Sequence, residues 1–371
     1  MRAALSLTAA FTTGIIAFWL PACAGKSENA PTILEGMGTP TDGEQARFSD
    51  PRSGTLGTEG PTHLPYRGPA SGGVAYRLTL EVEGQRMALK STDRKQQQSV
   101  RETQALEADF RKLPVEGTGS GGDVFLVGLD ALRYTQKQQS PPFERDIEIA
   151  DDRLRITLNG ETSIDNRGNR VTGTLAPRSF LGRIFGVITH DPSGNPINLS
   201  SRGAPAARQF MDGFPTLGAI AYTMITLPEE PITAGSSWSG IRIPPSRSGE
   251  RGLGLTVNYT LTGFEIFEGV PCALILLTAR VDEKAVTSVT GLPFDQVQAT
   301  LNGTAWVELE NSLVRRVVLS DQIRAAWTDS PNSVMPTQHR IEHTSKLVLA
   351  LRDPDENPKH WSDGTPQFDS H

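Results

Sequence analysis

From Val74 to Leu351, apolar side chains keep returning at every second position. A strand turns alternate side chains to opposite faces, so a period of two lays one face on a core and leaves the other in water. Val74-Ala75-Tyr76-Arg77-Leu78-Thr79-Leu80-Glu81-Val82 alternates cleanly, as does Arg153-Leu154-Arg155-Ile156-Thr157-Leu158. The stretches 253–261, 305–309 and 341–351 continue the pattern. Turn-forming residues fall between them: Asn159-Gly160, Asp165-Asn166-Arg167-Gly168, Asp191-Pro192-Ser193-Gly194 and Asn302-Gly303. Strands joined by short turns build antiparallel sheets and leave no room for βαβ crossovers. The expected fold is therefore all-β or β-dominant, with curved antiparallel sheets bent like a half-barrel.

Two stretches read less plainly. Residues 93–113 carry Val100, Leu106, Phe110 and Leu113, and their strand flanks favour a long hairpin arm. Residues 204–225 place Ala206, Phe210, Phe214, Leu217 and Ile220 at helical spacing, interrupted by Gly213 and Pro215. This predicts one central helix against a concave sheet face. Thr157-Leu158-Asn159-Gly160 and Thr300-Leu301-Asn302-Gly303 each read as the opening of a strand–turn–strand unit. Either a duplicated half (74–200 and 226–352) or chance recurrence of a turn tetrapeptide accounts for them.

The ends differ from this middle. Arg2 is followed by an uncharged run from Ala3 to Leu20, and Pro21, Ala22 and Cys23 end it. A basic residue, an apolar run and small residues form the pattern of a signal peptide, here residues 1–22. The run approaches the ~20 residues of a membrane span, so a retained anchor is the competing reading. Residues 24–73 are rich in Gly, Pro, Thr and Ser and poor in large apolar groups. Such a stretch buries too little surface to offset its ordering entropy. With Cys23 it reads as a tether over 23–73 leading to a β domain over 74–352. Residues 353–371 read as a polar tail.

Leu20-Pro21-Ala22-Cys23 resembles the lipobox of bacterial lipoproteins. The resemblance implies cleavage before Cys23 and lipidation of its thiol. Ala24 after the Cys, in place of Asp, then implies the outer membrane of a Gram-negative envelope. Cleavage within Ala22-Cys23-Ala24, giving a soluble secreted chain, is the alternative. The stretch Pro231-Ile232-Thr233-Ala234-Gly235-Ser236-Ser237-Trp238 resembles a P-x-x-x-G-x-x-W segment of uncharacterised bacterial envelope lipoproteins with antiparallel β domains. Residues 187–197, built as strand, D-x-x-G, strand, are similar to theirs. That family implies export and a lipid anchor, and it supplies no catalytic residues. The expected half-barrel also resembles periplasmic lipoprotein carriers.

Chemistry-bearing motifs are weak. Thirty-six Lys and Arg against 42 Asp and Glu give a net charge of −6, which argues against nucleic acid as a partner. Gly117-Thr118-Gly119-Ser120-Gly121-Gly122 precedes a strand, whereas a phosphate loop opens a helix. Gly235 to Gly240 misses the serine-elbow spacing and runs into extended chain, so a turn with a packed Trp238 is expected. His339 and His343 lie four apart in a strand pattern, about 13 Å at ~3.3 Å per residue, too far to share one metal. Asp353, Asp355 and Glu356 lack calcium-loop spacing. Asp165 and Asp191 read as turn caps, and Cys272, in an apolar run, as a buried free thiol. His190 and His339 would be the places to look for an unrecognised enzyme site.

The expectation is thus a non-enzymatic exported lipoprotein with no cofactor and no metal. It would bind the membrane through Cys23, and an apolar, lipid-like ligand or an envelope partner through its sheets. The alternatives are a structural or assembly protein with a solid core, and an enzyme with an unrecognised site. In cells fed radiolabelled palmitate the chain is expected to take up label, and a Cys23→Ala variant to lose essentially all of it.

Overall fold

The computed structural model describes residues 53–56, 62, 64, 73–90, 98–114, 124–167, 176–190, 196–228, 230–243, 253–284, 294–329 and 337–352. Fifteen strands dominate them. In the N-terminal part these are β1 (Ser53–Leu56), β2 (Val74–Lys90), β3 (Gln98–Pro114), β4 (Val124–Gln139), β5 (Pro142–Ala150), β6 (Arg153–Leu158), β7 (Glu161–Arg167), β8 (Ile184–His190) and β9 (Pro196–Ser201). Helices α1 (Pro205–Met211) and α2 (Thr216–Tyr222) follow. The chain then returns to strands as β10 (Ser237–Arg242), β11 (Leu255–Phe267), β12 (Val270–Lys284), β13 (Gln296–Glu308), β14 (Val314–Asp329) and β15 (Thr337–Leu351).

All the strands join one antiparallel sheet, ordered β1-β11-β12-β13-β14-β15-β2-β3-β4-β5-β6-β7 and not closed into a barrel. The last long strand pairs with the first: β15 meets β2 from Thr337–Lys90 to Leu351–Tyr76. Two strands change partner along one edge. β11 pairs with β10 over Leu255–Thr260 and with β1 over Phe264–Phe267. β4 pairs with β8 over Val124–Gly128 and with β5 from Leu132 onward. Each carries a bulge at the change, at Thr262 in β11 and at Asp130 in β4. A bulge bends its strand and re-aims a side chain, which curves the sheet at these two places.

The alternation divides the sheet into faces. Leu78 and Leu80, Leu106 and Phe110, Ile147 and Ile149, Val257 and Tyr259, Ile275 and Leu277, Val317 and Leu319, and Leu347 and Leu349 all enter one core. A sheet whose strands β5 and β11 share one core must be concave on that side. A smaller cluster of Phe267, Cys272, Trp306 and Val318 sits apart from it, with Phe267 and Trp306 stacked at 4.9 Å. Cys272 is a buried free thiol there, and burial pushes it up to about 12.

Several expectations change. Asn159-Gly160 is the β6–β7 turn, with φ of 50° and 83° as a type I′ turn requires. Asp151-Asp152 and Glu268-Gly269 make hairpins with the same signs. Asn302-Gly303, by contrast, lies inside β13, and Asp165, Asn166 and Arg167 lie inside β7. The recurring tetrapeptides therefore occupy unlike places, one at a turn and one within a strand. Gly303 is needed for a different reason: a Cβ there would lie 2.4 Å from Leu319 Cδ2 and 2.7 Å from the Val318 carbonyl. Asp165 caps no turn but holds Arg153 at 2.8 and 3.0 Å across the hairpin.

The single helix is two, because residues 212–215, with Gly213 and Pro215, break it. Part of the expected tether belongs to the fold: β1 pairs with β11, Thr62 bridges Ile232, and Leu64 is buried in the core. Cys23, the glycines 117–122, Asp191, and Asp353, Asp355 and Glu356 lie outside the described residues.

Gly303→Ala is expected to cost about 1–3 kcal/mol by overpacking against Leu319. A fall in the denaturant midpoint, with little change in slope, would show it.

Candidate functional site: the concave face and its helical plug

The inward rows of the strands are mostly apolar, interrupted on β3–β5 by Glu102, Gln104, Gln136 and Arg145, where Gln136 donates to Glu102 at 3.0 Å and Arg145 to Gln136 at 2.9 Å. Among the described residues no second sheet covers them. Residues 205–228 do so in part. Phe210 packs on Phe180 and on Phe214, each with centroids 5.1 Å apart. Phe214 meets Tyr134 of β4 edge-on at 5.1 Å. At the far end of α2, the Tyr222 hydroxyl donates to Asp321 Oδ2 of β14 at 2.9 Å. The pair of helices thus crosses the concavity from β4 to β14. Ala219, Ile220 and Ala221 are buried beneath it, and neither helix has a side-chain cap at its N-terminus.

The segment leaving α2 is pinned on both sides. Trp238 of β10 donates its indole N–H to the Thr226 carbonyl at 2.7 Å and stacks on Tyr259 at 5.7 Å. Arg242 Nη2 donates to Thr226 Oγ1 at 3.0 Å, and its guanidinium lies 5.7 Å from the Tyr259 ring centre. The P-x-x-x-G-x-x-W segment supplies this latch. Gly235 takes φ of 91°, a turn conformation open to glycine, and Trp238 follows as the packed residue expected of it.

Asp321 is the polar group of the lining that meets α2. It occupies an inward position between Leu319 and Ile323, opposite Ser345, with its side chain 1% exposed. His343 Nε2 lies 3.8 Å from its Oδ1. Burial raises the carboxyl above its ordinary value, opposed by the nearby His343 and by hydrogen bonds from Ser345 and Tyr222. Burial, reinforced by Asp321, likewise raises the Tyr222 phenol. Ser345, opposite Asp321 on β15, is itself buried. The arrangement holds α2 to the sheet.

Beyond the level of Asp321 the strands continue past the helices. Val82, Val281, Trp327 and Ile341 line this open part and are only partly buried. His339 stacks on Trp327 at 5.1 Å and pairs with Asp329 at 2.7 Å. His339 and His343 share the inward face with Ile341, as the strand pattern predicts, and each has its own carboxylate. His190 ends β8, away from both. Among the described residues no three His, Cys, Asp or Glu side chains group as metal ligands. At the other end of the concavity, between α2 and the sheet, lies a hollow of about 30 Å³.

Sequence reasoning finds the helix and Trp238 but misses Asp321, Tyr222 and Arg242. The available signal is a polar residue on an inward row: Val317, Leu319, Asp321, Ile323.

The fold is thus a β-dominant, open, curved antiparallel sheet with a helical insert on its concave side. No protein-family model matches the chain, and no curated protein does. Among solved structures it is similar to one described as "Lipid-protein interactions in lipovitellin", at 8% identity and a TM-score of 0.36. The match covers 75% of this chain and 25% of that one, so this chain spans about a quarter of the length of that protein. A likeness of this size carries no functional argument.

Because burial raises Asp321 above its ordinary 3.8, the folded chain keeps this proton where the unfolded chain has lost it. Its contribution to stability is then fully present at low pH and declines as pH rises from the unfolded value through the folded one. Asp321→Asn, which keeps an acceptor for Tyr222, is expected to remove that decline. Urea unfolding across a pH series, wild type against variant, measures it.

Proposed function

We propose that this chain is an exported, lipid-anchored protein of the cell envelope that binds an apolar, lipid-like ligand on the concave face of its sheet and is not an enzyme. One observation carries the ligand: an apolar concave lining is shielded at its centre by two seven-residue helices instead of a second sheet. Helices this short do not hold their form alone in water, since isolated helices are marginal below ~12–15 residues. Their place depends on Tyr222–Asp321 and on the Thr226 latch. An apolar chain entering beneath them would replace their burial with its own. The anchor at Cys23 and the outer-membrane address rest on the lipobox resemblance, and the tether would hold the domain off the membrane.

The size of the hollow favours a second reading. A pocket for a drug-sized ligand measures ~300–1,000 Å³, against about 30 Å³ here. A core that stays this full would suit a structural or assembly protein of the envelope.

Native mass spectrometry of the mature chain separates the two. The ligand reading expects co-purified lipid, or uptake of a fluorescent fatty acid that grows about threefold or more when Tyr222→Phe loosens the plug. No bound lipid and no uptake by either form would overturn it, and cross-linking in cells would then identify envelope partners.

A further inference from the structure

The hollow under α2 has a chemical polarity of its own. Its walls are Tyr76, Phe110, Ile220, Met224, Leu227 and Leu349, from β2, β3, β15, α2 and the segment beyond it. Besides the Tyr76 phenol, three polar side chains border the same space: Lys112, Ser312, and Thr223, whose hydroxyl donates to the Ile220 carbonyl at 2.7 Å. Lys112 extends the inward row Leu106, Ala108, Phe110 at the position opposite Val127, where the alternation calls for an apolar residue. Its ammonium lies 4.4 Å from the centre of the Phe125 ring, so the charge is kept on this side of the sheet.

Ser312 is the second, independent sign. It sits in the β13–β14 turn at φ of 52°, is 5% exposed, and its hydroxyl has no hydrogen-bond partner among the described residues. A buried hydroxyl left unpaired costs about 1–3 kcal/mol, so such groups ordinarily find a partner in the protein or in what it binds. Glu308, at the start of the turn, accepts from Arg315 at 2.8 Å and Asn311 at 3.3 Å. Arg315 in turn reaches Glu268 at 3.5 Å. An ammonium and a hydroxyl donor at the end of an apolar passage match an anionic oxygen carried on an aliphatic chain.

We propose that this hollow seats the head group of an anionic amphiphile, a carboxylate or phosphate on a long alkyl chain, with Lys112 and Ser312 as its donors. The proposal rests on the concave-face reading and names the ligand class for it. At about 30 Å³ the hollow has room for head-group oxygens alone. The alkyl chain would follow the apolar lining, with the segment after α2 lifting from Tyr76 and Phe110 to admit it.

The mature chain is titrated with hexadecanoate, hexadecyl phosphate and hexadecanol, read by displacement of a fluorescent fatty acid and by native mass spectrometry. Both anions should bind about tenfold or more tighter than hexadecanol, as a charge-assisted contact implies. The order of the two anions tells a fatty-acid head from a phosphate head. Lys112→Met, which keeps the apolar stem, should erase the preference and leave hexadecanol binding unchanged. Ser312→Ala should weaken the anions about threefold, and it serves as the test if circular dichroism shows Lys112→Met to be misfolded. Hexadecanol binding as tightly as the anions, or an unchanged preference in the folded variants, overturns the head-group site and leaves the concave-face reading standing. Binding of none of the three overturns both.

Discussion

The ladder between β15 and β2 holds the rest together. It joins residues 337–351 to residues 76–90, at opposite ends of the folded chain, along the full length of β15. Without it β2–β9 and β10–β15 would be two separate curved sheets bridged through the helical segment. Closing a loop of this length is entropically costly only logarithmically, while each added pair of the ladder is local once the first has formed. A buried ionic clamp fixes its end. Arg352, just past β15, donates to Asp130 at 3.1 Å, and Arg111 meets the same oxygen at 3.3 Å. Asp130 is the bulged residue of β4, so the bulge that bends the sheet also presents the carboxylate that ties down its central seam. Removing one partner from such a cluster leaves a buried charge uncompensated, which makes the clamp asymmetric: costly to break, modest in what it adds.

The same ladder sets the problem that the helices solve. Joining two curved sheets edge to edge doubles the apolar concave surface and brings no second layer to cover it. Residues 205–228 provide partial cover, reached from the β9 edge and returned through the P-x-x-x-G-x-x-W turn. Their attachment is partly polar. The Tyr222–Asp321 contact buries a carboxyl that water would solvate better, as its raised proton affinity shows. An all-apolar plug would be tighter. The polar pins, Tyr222–Asp321 and the Thr226 contacts, fix where the segment sits on the sheet.

Most of the architecture is legible in the sequence because alternation is a local property: Tyr76, Leu78 and Leu80 face inward whatever they pair with. What is not legible depends on partners far along the chain. Asn302-Gly303 has the composition of a turn, but Leu319 on the neighbouring strand claims the space where a side chain would be. Asp165 looks like a cap until β6 brings Arg153 beside it. Ser53 to Leu56 have the composition of a tether, and it is the edge of β11, some two hundred residues away in sequence, that makes them a strand. The candidate side chains are hidden for a related reason. Asp321 and Lys112 are polar residues set beside apolar ones on inward rows, and a polar residue in a strand signals nothing until the opposite face is known to be the core.

The two readings of the concave side also differ in what they ask of the sheet edges. β7 ends the sheet with Glu161, Asp165 and Arg167 exposed, and charges along an edge discourage the addition of another strand. The β10 side is unlike it: Ile241 is 61% exposed and Ile243 40%. Arg242, the one cation between them, is turned inward onto Thr226. Of these two edges β10 is the more open to assembly, and it is the strand that carries Trp238 and Arg242 and latches the helical plug. Contact there would bear directly on how firmly residues 223–228 are held. In this fold an edge with exposed apolar side chains and the latch of the cover over the apolar lining share one strand, β10.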